Sequence, residues 1–289
     1  TISALSGSVG YPIRYGYSVV GRVVELGEGV DPSLSGKRVF TFHPHASHAV
    51  ATADSLVVIP EEVPAERAVL LPNLETAVNL LLDGKPLIGE SVALFGLGVV
   101  GALTTMLLTR MLQRGVVAVE PHKYRRSLVL SLAPDAKCVA PEELAAYVPE
   151  APAGLSAGAS AERAGFDLVY ELSGRPETLD DALEVTGFSG RLVVGSWYGR
   201  KRAALGLGGR FHRGRSRIIS SQVSTIAPEL SGRWTTRRRL EYAASLLREL
   251  PLERLVTHEV AVEHAAEAYQ RLDRGEAGVM QLLFRYGGS

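Results

Sequence analysis

The stretch VALFGLGVVG, residues 92–101, decides the fold. An apolar run leads into Gly96, Gly98 and Gly101, spaced G-x-G-x-x-G, and a helix-forming run follows. Such a strand–turn–helix unit seats a dinucleotide, and each glycine has its own reason. Gly96 permits the tight turn, Gly98 lets a pyrophosphate approach the backbone, and Gly101 lets helix pack on strand. The phosphates then sit on the first helical turn, at Val99 and Val100, where free N–H groups and the helix dipole favour an anion.

The next strand, VVAVE, ends at Glu120, nineteen residues past Gly101. An acid there can accept hydrogen bonds from the adenosine ribose hydroxyls, which favours NAD over NADP. Just beyond it stand His122, Lys123, Arg125 and Arg126. Cations at that point can hold a 2′-phosphate instead, so NADP stays open, with Arg125 as a candidate contact.

Outward from this turn, strands and helices alternate. Strands are expected at 91–95, 116–120, 167–171, 191–196 and 217–221, with helices at about 98–113, 122–132, 141–147 and 176–186. That alternation implies an α/β fold with a parallel sheet covered on both faces. PEAPAGLSAGASAERAG, 149–165, reads as a loop. Before this region, residues 1–60 read as β: an alternating, valine-rich segment at 17–26, then short strands at 37–42, 46–51 and 56–59, as in a small barrel-like domain. Residues 64–84 read as helix. After Ser221 come a helix near 236–249, a strand near 255–260, a helix near 263–273 and a strand at 279–286, a tail expected to return to the first domain. The expected division is 1–73 with 223–289, and 74–222.

Composition bounds the chemistry. The 289 residues carry 31 basic and 31 acidic side chains, and this balance speaks against nucleic acid as a partner. A single cysteine, Cys138, excludes an intrachain disulfide and a cysteine-based zinc site, and a cytoplasmic home is the default. The uncharged run 91–109 has the polarity of a membrane span, but its glycines and the apolar character of buried parallel strands point to a strand and a helix, so no membrane association is expected.

Together with YGYSVVGRVVELGEGV (15–30), RVFTFHPH, LETAVN, GSWYG, FHRGRSRIISSQV, RWTTRRRLEYA and LVTHEV, these motifs resemble the medium-chain dehydrogenase/reductase superfamily, and more narrowly a zinc-free branch that includes bacteriochlorophyllide a dehydrogenase. The resemblance runs from about Tyr11 to the end of the chain. It implies a GroES-like β-barrel domain, a Rossmann domain, a homodimer and hydride transfer with a nicotinamide cofactor. Zinc members of the superfamily carry Gly-His-Glu where this chain reads Gly16-Tyr17-Ser18, and a cysteine where it has Pro72. No zinc is therefore expected. Relatives also have some tens of residues before the opening segment, where here only TISALSGSVG stands, so the expectation is that part of the native N-terminus is missing.

Hydride transfer needs a donor for the developing alkoxide. Tyr17, in the vacated histidine position, is one candidate and a packed strand-start tyrosine the alternative. In HPHASH, His45 is a candidate proton shuttle. A three-histidine zinc site from His43, His45 and His48 is conceivable, but Pro44 works against convergence. Glu75 is a candidate on a helix expected to face the cleft, with a solvated helix charge or an orienting partner as the alternatives, and Thr76 matches the superfamily position beside the nicotinamide. Ser173, Trp197 and Tyr198 follow later strands, at the sheet end where open α/β sheets bind ligands, so Trp197 and Tyr198 are expected to wall the nicotinamide or the substrate, with two exposed loop aromatics as the alternative. Residues 200–217 hold seven cations and no acid, which reads as a solvated or interface loop or as a grip on an anionic substrate.

The leading reading is thus an NAD(P)-dependent, zinc-independent oxidoreductase of a secondary alcohol or ketone. The alternatives are reduction of an activated double bond, as in quinone reductases, and a non-catalytic dinucleotide-binding protein.

Overall fold

Eleven strands and six α-helices of at least seven residues carry the fold. They are β1 (Val19–Arg22), β2 (Arg38–Thr41), β3 (Val57–Val58), α1 (Leu71–Gly84), β4 (Val92–Phe95), α2 (Val99–Leu112), β5 (Val116–Val119), α3 (Lys123–Leu132), β6 (Lys137–Val139), β7 (Phe166–Glu171), α4 (Thr178–Glu184), β8 (Thr186–Val194), β9 (Arg217–Ser220), α5 (Thr236–Leu246), β10 (Val256–Ala261), α6 (Ala265–Asp273) and β11 (Gln281–Arg285). These counts refer to the residues that the computed structural model describes, 14–112, 115–151 and 163–287. The N-terminal ten residues and most of the loop expected at 149–165 lie outside them.

The chain divides into two compact units, one of residues 1–75 and 224–289 and one of residues 76–223. The second holds a six-stranded sheet, ordered β6-β5-β4-β7-β8-β9, with every pairing parallel. The expected α/β class and parallel sheet are found. β4 and β5 are buried along their whole length, so they read as unbroken apolar runs rather than alternations. The run 91–109 resolves into β4, the glycine turn and most of α2. No helix among the described residues is long and apolar enough to cross a membrane. β6, only three residues with an exposed lysine at its start, has no signature that sequence reading picks up.

β8 starts at Thr186, earlier than expected, because it bulges. Phe166 pairs with Thr186, but Leu168 pairs with Arg191, so β8 spends extra residues over Gly187–Gly190.

The first unit has shorter strands. β1, β2 and β3 form an antiparallel sheet, and β10 and β11 a separate parallel pair. The strand expected at 46–51 is absent: that segment is irregular, Val50 is 99% exposed, and no neighbouring strand pairs with it. The long helix expected over 64–84 is broken into a short turn at Ala65–Ala68 and α1, with Pro72 in the first turn of α1, where a missing N–H costs nothing.

Candidate functional site

The glycine turn lies between β4 and α2, and its three glycines have three different environments. Gly96 has φ +96°, and a Cβ there would lie 2.7 Å from the Ser173 backbone. At Gly101 a Cβ would lie 1.9 Å from the Gly96 carbonyl oxygen, so helix and turn are in direct contact. A Cβ on Gly98 meets nothing within 4 Å. Two glycines are thus demanded by the protein's own packing. The third is not, and its open face beside the half-buried Val99 and Val100 is a cradle that a side chain would fill.

Glu120 follows β5 and is 3% exposed. Its Oε2 accepts from the Leu97 N–H at 2.8 Å and its Oε1 from the His122 N–H at 3.0 Å. The carboxylate therefore ties the glycine turn to the next strand. Arg125 comes within 3.9 Å of it, and Arg126 donates to the Glu120 and Pro121 carbonyls. Carboxylate oxygens accept more than one hydrogen bond, so this clamp leaves acceptor capacity for a ribose.

Glu171, fully buried at the end of β7, is a second such clamp, which sequence reading did not single out. It accepts from the Ser173 N–H at 2.8 Å, from the Ser173 hydroxyl and from the Tyr198 hydroxyl. Gly174 N–H donates to Ser196 Oγ at 2.9 Å, so the loops after β7 and β8 are stitched together. Burial, with the neighbouring Glu171 carboxylate, pushes the Tyr198 phenol far above its ordinary value. Ser173 and Tyr198 are thereby brought together. Trp197 is 90% exposed and Thr76 half-buried on α1. An acid at the end of the buried run Leu168–Glu171 was the available signal for Glu171.

The remaining candidates lie in the first unit. Tyr17 and His45 line one cavity of about 510 Å³ with Tyr15, Asn73, Tyr269 and Phe284. Tyr17 is 40% exposed as a residue, yet its hydroxyl bonds with the Asn73 side chain, and desolvation holds the phenol above its ordinary value. The His45 ring lies flat on Gly16, where a Cβ would come within 2.8 Å of it. His45 Nε2 bonds with the Tyr269 hydroxyl at 3.1 Å, and the Phe284 ring stands edge-on at 5.0 Å. Desolvation lowers the imidazole from its ordinary value, which favours the neutral form. His43 turns to the Pro44 carbonyl and His48 to Ser47, so the three histidines do not converge.

Glu75 is 6% exposed and is held by Arg239, itself 1% exposed, with Nε and Nη2 both donating to Glu75 Oε1 at 3.0 and 2.9 Å. Burial nonetheless raises the Glu75 carboxyl above its ordinary value. Its burial overturns the reading as a solvated helix charge, and of the other two, orienting partner is the one this geometry suits. Arg239 and Tyr269 had no local signal, since each meets its partner across more than a hundred residues of chain.

These features define a dinucleotide-binding α/β protein. Comparison with known proteins narrows the class. No family model matches the chain. It is 24% identical over 305 residues to L-threonine 3-dehydrogenase of Xanthomonas campestris, covering 93% of this chain and 82% of that protein. Among solved structures it is similar to galactitol-1-phosphate dehydrogenase from Escherichia coli (TM-score 0.71, 20% identity, 93% and 84% covered). It is also similar to a short chain alcohol dehydrogenase from Escherichia coli complexed with NADH (TM-score 0.70, 17% identity, 92% and 82% covered). These homologues and structural neighbours are zinc-type alcohol dehydrogenase-like proteins of the medium-chain dehydrogenase/reductase superfamily.

Proposed function

We propose that the chain is a nicotinamide-dependent oxidoreductase of a small secondary alcohol or ketone, with NAD as the preferred cofactor, working without zinc and as a homodimer. The observation that carries the cofactor is the open face of Gly98 between two glycines that packing demands. Val99, Val100 and Glu120 would hold the pyrophosphate and ribose, with Ser173 and Tyr198 beside them. The bound nicotinamide supplies the hydride acceptor or donor.

The chain's own part is to move a proton. What supports a zinc-free reaction is the donor chemistry of the first unit. A phenol is protonated near neutral pH and can donate a hydrogen bond to an oxygen that gains charge. Tyr17 is that donor in this reading, with Asn73 setting the direction of its hydroxyl. His45, favoured as neutral imidazole and bonded to Tyr269, is the proton shuttle.

The test is direct. Purified chain is titrated with NADH and NADPH, then assayed by nicotinamide absorbance with a panel of secondary alcohols and ketones, with and without chelator. We expect NADH to bind more tightly and turnover to survive chelation. Tyr17→Phe should lower kcat by about a hundredfold while leaving NADH affinity unchanged. Stoichiometric zinc in the active protein would sink the zinc-free part, and absence of binding to either dinucleotide would sink the whole.

A further inference from the structure

The arginine-rich segment 200–217 has a second feature that hydride transfer does not use. Phe211, His212, Arg215, Ser216 and Arg217 line, with Ser189, a cavity of about 520 Å³ in the parallel-sheet unit. No acid is among these lining residues. The Ser216 side-chain oxygen is buried and has no hydrogen-bond partner, on a residue only 7% exposed. Buried hydroxyls almost always have a partner, so one without calls for an explanation.

Backbone strain converges on the same place. Only three non-glycine residues among those described have positive φ, and two of them, Ser189 at +57° and Arg215 at +54°, line this cavity. Ser189 sits in the β8 bulge. Arg215 closes the turn His212–Gly214: its N–H donates to the His212 carbonyl and that of Ser216 to the Phe211 carbonyl. That pair of bonds is a helix-ending motif whose left-handed position normally takes glycine. An arginine there bears a backbone cost that its side chain must repay, and such strain collects where ligands are gripped.

The cavity lies at the opposite sheet end from the glycine turn. Arg217 opens β9 and pairs with Arg191, and Ser189 lies before Arg191 on β8, so this is the amino end of parallel strands. The glycine turn follows the carboxyl end of β4. A four-residue strand spans about 13 Å, too far for one small ligand to reach both ends.

We propose that this cavity binds a phosphate group, free or as a phosphomonoester, as a second ligand apart from the dinucleotide. Two guanidinium forks and a hydroxyl offer more donors than a carboxylate has oxygens to receive, and a phosphate's terminal oxygens suit them. The unpartnered Ser216 hydroxyl is then the donor that the ligand satisfies.

Inorganic phosphate and glycerol 1-phosphate are titrated calorimetrically into the full chain at constant ionic strength. Three variants are compared: Ser216→Ala, the pair Arg215→Asn with Arg217→Gln, and Arg202→Gln as a control outside the cavity. Asparagine tolerates the left-handed backbone, and circular dichroism verifies folding. Ser216→Ala removes no protein hydrogen bond, so its effect cannot be a folding defect. We expect saturable binding that falls roughly three- to tenfold in Ser216→Ala, at least about tenfold in the double variant, and not at all in Arg202→Gln. Tighter binding of the ester than of phosphate identifies an ester ligand, and equal binding the free ion. No saturable binding of either, or binding equal in wild type and Ser216→Ala, overturns the proposal.

Discussion

The two units bury polar groups in different ways. In the parallel-sheet unit, Glu120 and Glu171 stand at strand ends and grip backbone N–H groups of the same or the adjoining loop. In the first unit, Glu75, His45 and Tyr17 meet side chains: Arg239, Tyr269 and Asn73. Backbone-clamped carboxylates fix loops, and they repeat wherever a parallel strand ends in an acid. Side-chain pairs fix particular long-range contacts, and each is its own solution. A sheet end is thus a general device for holding a ligand loop, while the aromatic cavity suits one arrangement of one proton.

That contrast breaks first at the buried ion pair. Arg239→Met leaves the Glu75 carboxylate buried without its cation and should cost about 3–5 kcal/mol in urea unfolding. Because burial raises the folded-state pKa of Glu75 above its unfolded value, ionisation opposes folding, so stability falls as pH rises through the folded pKa. Without Arg239 that pKa rises further. The loss should therefore be smaller in acidic than in mildly alkaline buffer, and a pH-independent loss would show that charge is not its cause.

At the sheet, Gly101→Ala drives a methyl into the Gly96 carbonyl and should cost about 3 kcal/mol, with loss of NADH binding. Tyr198→Phe removes one donor from the buried Glu171 carboxylate and should cost about 1–2 kcal/mol by the same measurement. Gly98→Ala is the sharpest of the set, because a methyl there meets nothing. Stability should change by less than about 0.5 kcal/mol, while NADH affinity in a fluorescence titration falls about tenfold. Equal stability and equal affinity would remove the cradle from the argument. The smallest effect is at Cys138, whose thiol is pushed up to about 11 by burial. It should react with iodoacetamide well below the rate of a free thiol at neutral pH, followed by mass spectrometry.

Legibility in the sequence followed the range of the contacts. β4, the glycine turn, α2 and β5 were readable because their pattern is local in sequence: apolar runs for a doubly covered sheet, and three glycines at fixed spacing after a strand. Tyr17 and His45 were readable as chemistry but not as a shared cavity, since Tyr269 and Phe284 come from the far end of the chain. The segment 46–51 misled because a short run between turn signals makes a strand only beside a partner with an open edge. Ser216 carried no signal at all: an unpartnered hydroxyl is a fact about surroundings, not about letters.

The Glu120 clamp has a practical consequence for anyone wishing to swap one dinucleotide for the other. Acid-to-neutral exchange at the ribose position is the obvious redesign, yet here the same carboxylate holds Leu97 in place. In the proposed binding mode, removing it would free the Leu97 N–H as well as alter the proposed ribose contact, and the two effects would be confounded in one mutant. Coenzyme engineering should begin instead at Arg125, which stands beside the acid without supporting the turn.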